Sequence, residues 1–311
     1  VSRGLGDVYK RQVLPNTDGV SRTAYIYFVK VTDMESIVVE MVTIIQRGEV
    51  ASESTDYSSD KKVRVLQTAK LGKGLPIVLM GDGFIDTEIN DGTYDAVMDK
   101  AFENLFTEEP IKSLRDYFNV YAVTAVSKHN IFGTGYETAL GCELAGGNST
   151  GISGEDNAVQ RYVQCVDNID MSETLAVVIL NSPAYAGTTY FGYTNQTKVV
   201  EFAIAYCPVI YDLQSESFRQ VLVHEAVGHG FAKLEDEYAY QENGTISSKE
   251  IKNVQYLQTL GWAQNVDFTS DPSQVLWSAF LNDNRYVSEK LGVFEGACTC
   301  LLYTSDAADE L

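Results

Sequence analysis

Histidine is scarce in this chain, with three residues in 311. Basic side chains are few as well: 23 lysines and arginines stand against 43 acidic residues, for a formal net charge of −20. A surface this acidic argues against nucleic acid or anionic membrane as partners, because both are polyanions. No apolar run approaches the roughly eighteen residues of a bilayer span, so no membrane span is expected. The five cysteines include no Cys-x-x-Cys pair and so offer no paired metal or redox motif. Cys142, Cys165 and Cys207 are read as buried free thiols, with a Cys142–Cys165 or Cys165–Cys207 disulfide as the alternative in an exported protein. The rest of the composition, 45% hydrophobic and 21% charged, is that of a globular chain with room for one large domain and a small one.

Two of the three histidines fall in one short run, His224-Glu225-Ala226-Val227-Gly228-His229, followed by Leu234-Glu235-Asp236-Glu237-Tyr238. Zinc takes nitrogen and carboxylate ligands, and a catalytic site offers three of them with one position left for water. The metal brings the pKa of that water to about 7, and a neighbouring glutamate can take its proton and pass it to a leaving amine. The usual helical arrangement is His-Glu-x-x-His, with both histidines on one face. Here they are five apart, which on a regular α-helix separates them by about 140°. A π-bulge, with i→i+5 hydrogen bonds, returns them to one face. The spacing therefore predicts a bulged helix around residues 226–228, with Gly228 easing the distortion. Ser215 or Ser217 is the expected N-cap, and Phe218, Val221 and Leu222 the apolar face. For the third ligand Glu235, Asp236 and Glu237 are near in sequence, and His129, in a polar loop, is a distant candidate.

The string HEAVGHGFAKLEDEY resembles the active-site segment of the IgA peptidase family of bacterial zinc metallopeptidases, which combines the His-Glu motif with Leu-x-Asp-Glu-Tyr. Further matching segments are residues 77–84 (IVLMGDGF), Glu109-Pro110, 117–121 (YFNVY), 277–281 (WSAFL) and 292–296 (GVFEG), so the resemblance covers roughly residues 63–299. It implies a zinc-dependent metalloendopeptidase with His224, His229 and Asp236 as metal ligands and Glu225 as general base to a zinc-bound water. The implied partner is a protein or peptide substrate, host glycoproteins among the candidates, and the implied location is the cell surface or exterior. Two other readings compete. One is an aminopeptidase or dipeptidyl peptidase, since His-Glu-x-x-Gly-His occurs in the dipeptidyl peptidase III family. The other is a glycan- or glycoprotein-binding surface protein with a structural or silent zinc site.

Along the chain, residues 1–12 and 300–311 resemble translated sequencing-adapter read-through and are expected to lie outside the fold. On that reading the chain is a fragment of a longer protein. Residues 13–49 read as β and resemble the last strands of a BACON domain, a small β-sandwich. Residues 50–62 are polar and read as a linker. The metallopeptidase domain then spans 63–299, an α/β, zincin-like fold with a mixed sheet and an active-site helix. Strands are expected at 63–67, 76–80, 120–126, 174–180, 188–193 and 199–205. Helices are expected at 94–106, 111–117, 156–167, 217–233, 249–260 and 274–281. Gly81-Asp82-Gly83 reads as a structural turn, and 141–155 as a long loop.

Overall fold

The computed structural model describes residues 22–31, 36–46, 51–144, 151–195, 198–238, 244–289, 291–298 and 300–304. The expected BACON-like segment falls partly outside them. Its described part is one antiparallel hairpin, β1 (Arg22–Val31) with β2 (Ser36–Gln46), bulged at Phe28/Val29.

The larger part of the described chain is built on a mixed six-stranded sheet. Its first half holds β3 (Val63–Gln67), β4 (Leu75–Asp82), helices α1 (Asp86–Asn90), α2 (Thr93–Leu105) and α3 (Ile111–Leu114), and β5 (Phe118–Val123). A short pair, β6 (Glu143–Leu144) and β7 (Ile152–Ser153), precedes α4 (Asp156–Val163), β8 (Leu175–Leu180), β9 (Thr188–Asn195) and β10 (Lys198–Pro208). The strand order is β3-β5-β4-β8-β10-β9. The four central strands run parallel, while β3 and β9 are antiparallel edges. Parallel strands covered on both faces read as unbroken apolar runs. That explains IVLM in β4 and LAVVIL in β8, where every residue from Ile77 to Met80 and from Leu175 to Leu180 is buried.

Alternation along the strands divides the core into two layers. Ile77, Leu79, Val177 and Ala205 face helix α2 and the helical segment 216–231, whereas Val78, Met80, Val178 and Tyr206 face α4. Helix α2 buries Tyr94, Val97, Met98, Ala101, Phe102 and Leu105, the i, i+3, i+4, i+7 stripe of a helix packed on a sheet.

After β10 come α5 (Glu216–Leu222), a π-helix over Val223–Phe231, and α6 (Ser248–Thr259). A three-stranded antiparallel sheet follows, with order β11-β13-β12, built from β11 (Val266–Asp267), β12 (Phe294–Ala297) and β13 (Cys300–Thr304); α7 (Ser278–Leu281) lies between β11 and β12. Strand β13 thus pairs within a segment that the sequence reading set aside. Among the described residues no helix is long and apolar enough to cross a membrane.

Several expected boundaries move, for local reasons. The helix expected from residue 274 begins only at Ser278. Asp267 and Asp271 accept hydrogen bonds from the backbone N–H groups of Leu276 and Ser273, and such side-chain bonds favour turns over helix. The polar stretch expected as a linker is docked on the domain. Asp86 Oδ2 accepts from the N–H groups of Thr55 and Asp56, and Ser54 Oγ donates to the Ser127 carbonyl. Asp82, in the expected turn, is fully buried and accepts from Ser127 Oγ, Thr138 Oγ1 and the N–H groups of Leu140 and Cys142. One carboxylate thereby ties the end of β4 to the loop over the sheet. Cys142 and Cys207 are buried free thiols, as expected, whereas Cys165 is a free thiol that is only half-buried.

Candidate metal centre

Ser215 opens the metal-site helix, its Oγ accepting from the Phe218 N–H. Phe218, Val221 and Leu222 drive the first turns into the core beside Ala226 and Val227. From Val223 the helix widens to i→i+5 bonding, and its end is marked by the Ala232 N–H donating to the Val227 carbonyl at 2.9 Å. In this geometry residues five apart are hydrogen-bonded neighbours one turn apart. His224 and His229 therefore meet, with ring centroids 4.6 Å apart and planes nearly perpendicular. The expected local bulge is a continuous nine-residue π-helix.

Gly228 plays a different part from the one expected. A Cβ added there would meet nothing closer than 4.0 Å, and its backbone is not left-handed, so the widened turn does not require glycine at this position. The demanding position is Gly230, where a Cβ would lie 2.6 Å from Leu175 Cδ1 on the central strand β8. Close approach of helix to sheet is what glycine supplies here.

Lys233 ends the helix in the left-handed conformation (φ +57°), and the Leu234 N–H donates back to the Gly228 carbonyl at 3.0 Å. The chain then reverses and brings Asp236 over the histidines. His229 Nε2 stands 3.1 Å from His224 Nε2 and 3.1 Å from Asp236 Oδ1, and His224 Nε2 stands 3.3 Å from the same oxygen. His229 Nδ1 lies 2.7 Å from the Leu234 carbonyl. A carbonyl only accepts, so Nδ1 carries the proton and Nε2 turns a lone pair toward the cluster whenever the ring is neutral.

Three lone-pair atoms thus form a triangle with edges of 3.1, 3.1 and 3.3 Å. Two ligands held about 2.0–2.1 Å from a tetrahedral zinc stand about 3.3–3.4 Å apart, so the donor set fits one face of such a coordination sphere. The electrostatics agree. Burial alone pushes the His229 imidazole down, yet the Asp236 hydrogen bond and charge carry it up to about 9. Burial raises the Asp236 carboxyl, but the two histidines outweigh it and hold the group well below the carboxylate range. Without a metal, the cluster retains a proton in its place.

Supporting residues come from distant parts of the chain. Asn265, 8% exposed, accepts from the Glu235 N–H at 3.0 Å and donates to the Glu235 carbonyl at 2.8 Å and to Glu237 Oε1 at 2.7 Å. The Cys298 N–H donates to the Asp236 carbonyl at 2.8 Å. Lys233 is buried, donating to the Glu201 carbonyl at 2.9 Å and to the Gly230 carbonyl, with Phe191 and Trp262 rings beside its ammonium. Burial depresses it to about 8.

Glu225 projects between helix and sheet, 7% exposed, and burial raises its carboxyl pKa against the opposing pull of His229 and Thr189. Its Oε2 accepts from Thr189 Oγ1 at 2.7 Å. Of the other third-ligand candidates, Glu235 and Glu237 are turned away, Glu237 toward Asn265 and Glu235 toward Cys298 Sγ at 3.9 Å. His129 is elsewhere, its Nδ1 accepting from the Glu137 N–H. Among the described residues, His224, His229 and Asp236 form the one group of three such side chains able to hold a metal ion. Asn265 and Thr189 were not legible as site residues, because no motif marks them.

No curated protein matches this chain. The family model described as IgA Peptidase M64 does, over residues 63–295, a span that contains the whole cluster. By that match, over most of its length, the chain belongs to the IgA peptidase M64 family of metallopeptidases.

Proposed function

We propose that the protein is a zinc endopeptidase in which His224, His229 and Asp236 hold the metal and Glu225 is the general base. The observation that carries this reading is the convergence of His224 Nε2, His229 Nε2 and Asp236 Oδ1 on one point beside the buried Glu225. When bound, zinc supplies a Lewis acid and brings the pKa of the water it holds to about 7.

The protein's own groups do the rest. Burial raises Glu225 toward the range in which a carboxylate can both take and return a proton. It accepts the proton of the attacking water and delivers it to the departing amine nitrogen. The Leu234 carbonyl accepts from His229 Nδ1–H and so keeps Nε2 as the free lone pair that a metal would take. Strand β9 is the sheet edge next to the π-helix, since Thr189 reaches Glu225 from it. An extended peptide can add along such an edge, with main-chain bonds giving affinity irrespective of sequence. The intact, buried Glu225 supports an enzyme over a binding protein with a silent metal, which has no need of a base.

The test is Glu225→Gln, assayed on a random-sequence library of internally quenched peptides. The expected result is unchanged metal content with turnover reduced by about 10²–10⁴-fold. Turnover at the wild-type rate would remove Glu225 from the role of base.

A further inference from the structure

The Glu225 carboxylate is gripped from the sheet side. Thr189 Oγ1 lies 2.7 Å from Oε2 and 2.9 Å from the Glu225 carbonyl oxygen. A hydroxyl has a single hydrogen, and the bond to a carboxylate is the stronger of the two. The other oxygen fills the space above Gly187: a Cβ built there would lie 2.5 Å from Glu225 Oε1, 2.7 Å from its Cγ and 2.8 Å from Val221 Cγ1. One carboxylate oxygen therefore rests on a bare glycine, and the other is held by a hydroxyl two residues later. The adjacent Thr188 accepts from the Ile152 N–H and donates to the Gly187 carbonyl, which secures the turn that carries both groups.

We infer that Thr189 is a positioning residue for Glu225, and that with Gly187 it fixes the carboxylate before a substrate arrives. The inference rests on the reading of Glu225 as base. A glutamate has three rotatable side-chain bonds, and a base that swings freely spends little time aligned with the proton it must take. The grip also sits on β9, the edge strand along which a peptide would add, so substrate and base share one support.

The experiment compares Thr189→Val, nearly isosteric but without the hydroxyl, with Thr189→Ser, which restores it. Each zinc-loaded variant of the whole 311-residue chain is measured for kcat and KM on the best-cleaved member of the peptide library, and for metal content. Thr189→Val is expected to lower kcat about 10–100-fold, with KM and metal content unchanged. Thr189→Ser is expected to recover most of that loss. Gly187→Ala, which forces the carboxylate off its seat, is expected to lower kcat to a similar extent and to retain the metal. Crystal structures of wild type and Thr189→Val give a readout independent of turnover, with the carboxylate leaving Gly187 in the variant. Wild-type kcat in Thr189→Val, a serine variant as slow as the valine one, or an unmoved carboxylate would each overturn the inference. If Glu225→Gln is inactive while Thr189→Val is fully active, this inference alone falls. If Glu225→Gln is active, the reading of the base falls and takes this inference with it.

Discussion

Replacing Asn265 with alanine is expected to weaken metal binding from a distance. Asn265 touches neither histidine, yet its amide pairs with both the N–H and the carbonyl of Glu235 and with the Glu237 carboxylate. It acts as one rung of a sheet, setting the Glu235 backbone before Asp236 and holding the Glu237 side chain after it. Alanine removes three hydrogen bonds and leaves the N–H and carbonyl of Glu235 without their partner. Each buried group so stranded costs about 1–3 kcal/mol, and partial relaxation brings the total to about 2–4 kcal/mol of stability. Loss of an outer-shell partner lowers metal affinity about 10–100-fold, equivalent to about 1.4–2.7 kcal/mol. Asn265→Asp is expected to be worse, because it points a carboxylate at the Glu235 carbonyl and the Glu237 carboxylate. Zinc affinity is measured by competition with a chromophoric chelator, and stability by urea unfolding of the metal-free protein. A variant that loses stability but binds zinc within twofold of wild type would refute the reasoning, since Asp236 would then not depend on this rung.

Two further outcomes follow from the same geometry. Gly228→Ala is expected to be neutral or to stabilise by about 0.5–1 kcal/mol, because its Cβ meets nothing closer than 4.0 Å and alanine restricts the unfolded chain. Gly230→Ala is expected to destabilise by about 1–3 kcal/mol through its approach to Leu175, and urea unfolding that ranks the two variants the other way would contradict the π-helical packing. For the metal-free protein, thermal melting across pH tests the buried charges. His229, raised to about 9, contributes stability that is complete below its unfolded value near 6.5 and is lost as pH rises through 9. Lys233, lowered to about 8, has the opposite sign: the unfolded chain binds more protons between pH 8 and about 10.5, so stability recovers over that window. Zinc replaces the proton at His229, so saturation with metal is expected to abolish the falling limb and keep the rising one; an equal fall in both forms would contradict the assignment.

The motif was legible because the proposed ligands and base are local. His224, Glu225 and His229 occupy one helix, and their five-residue spacing alone demanded a wider turn than an α-helix allows. The apolar runs of β4 and β8 and the stripe of α2 likewise declared the mixed α/β sheet. What remained hidden is long-range. Asn265 lies about thirty residues from the backbone it pins, and Thr189 thirty-six from the carboxylate it holds. Neither residue type nor neighbouring sequence distinguishes them from surface polar residues. Glycine misled for a related reason. Gly228 sits inside the motif and invites a role, while Gly187 and Gly230 are needed only because other elements press against them, which a linear pattern does not carry.

The most direct test of the central claim, that one metal ion is shared by an i, i+5 histidine pair and Asp236, is the metal content of the purified full chain by elemental mass spectrometry. Wild type, His229→Ala, Asp236→Ala and Glu235→Ala are measured together, with circular dichroism to establish folding. The account predicts about one zinc per chain in wild type and Glu235→Ala, and loss in His229→Ala and Asp236→Ala. A folded wild type without metal, or full occupancy in Asp236→Ala, would contradict it.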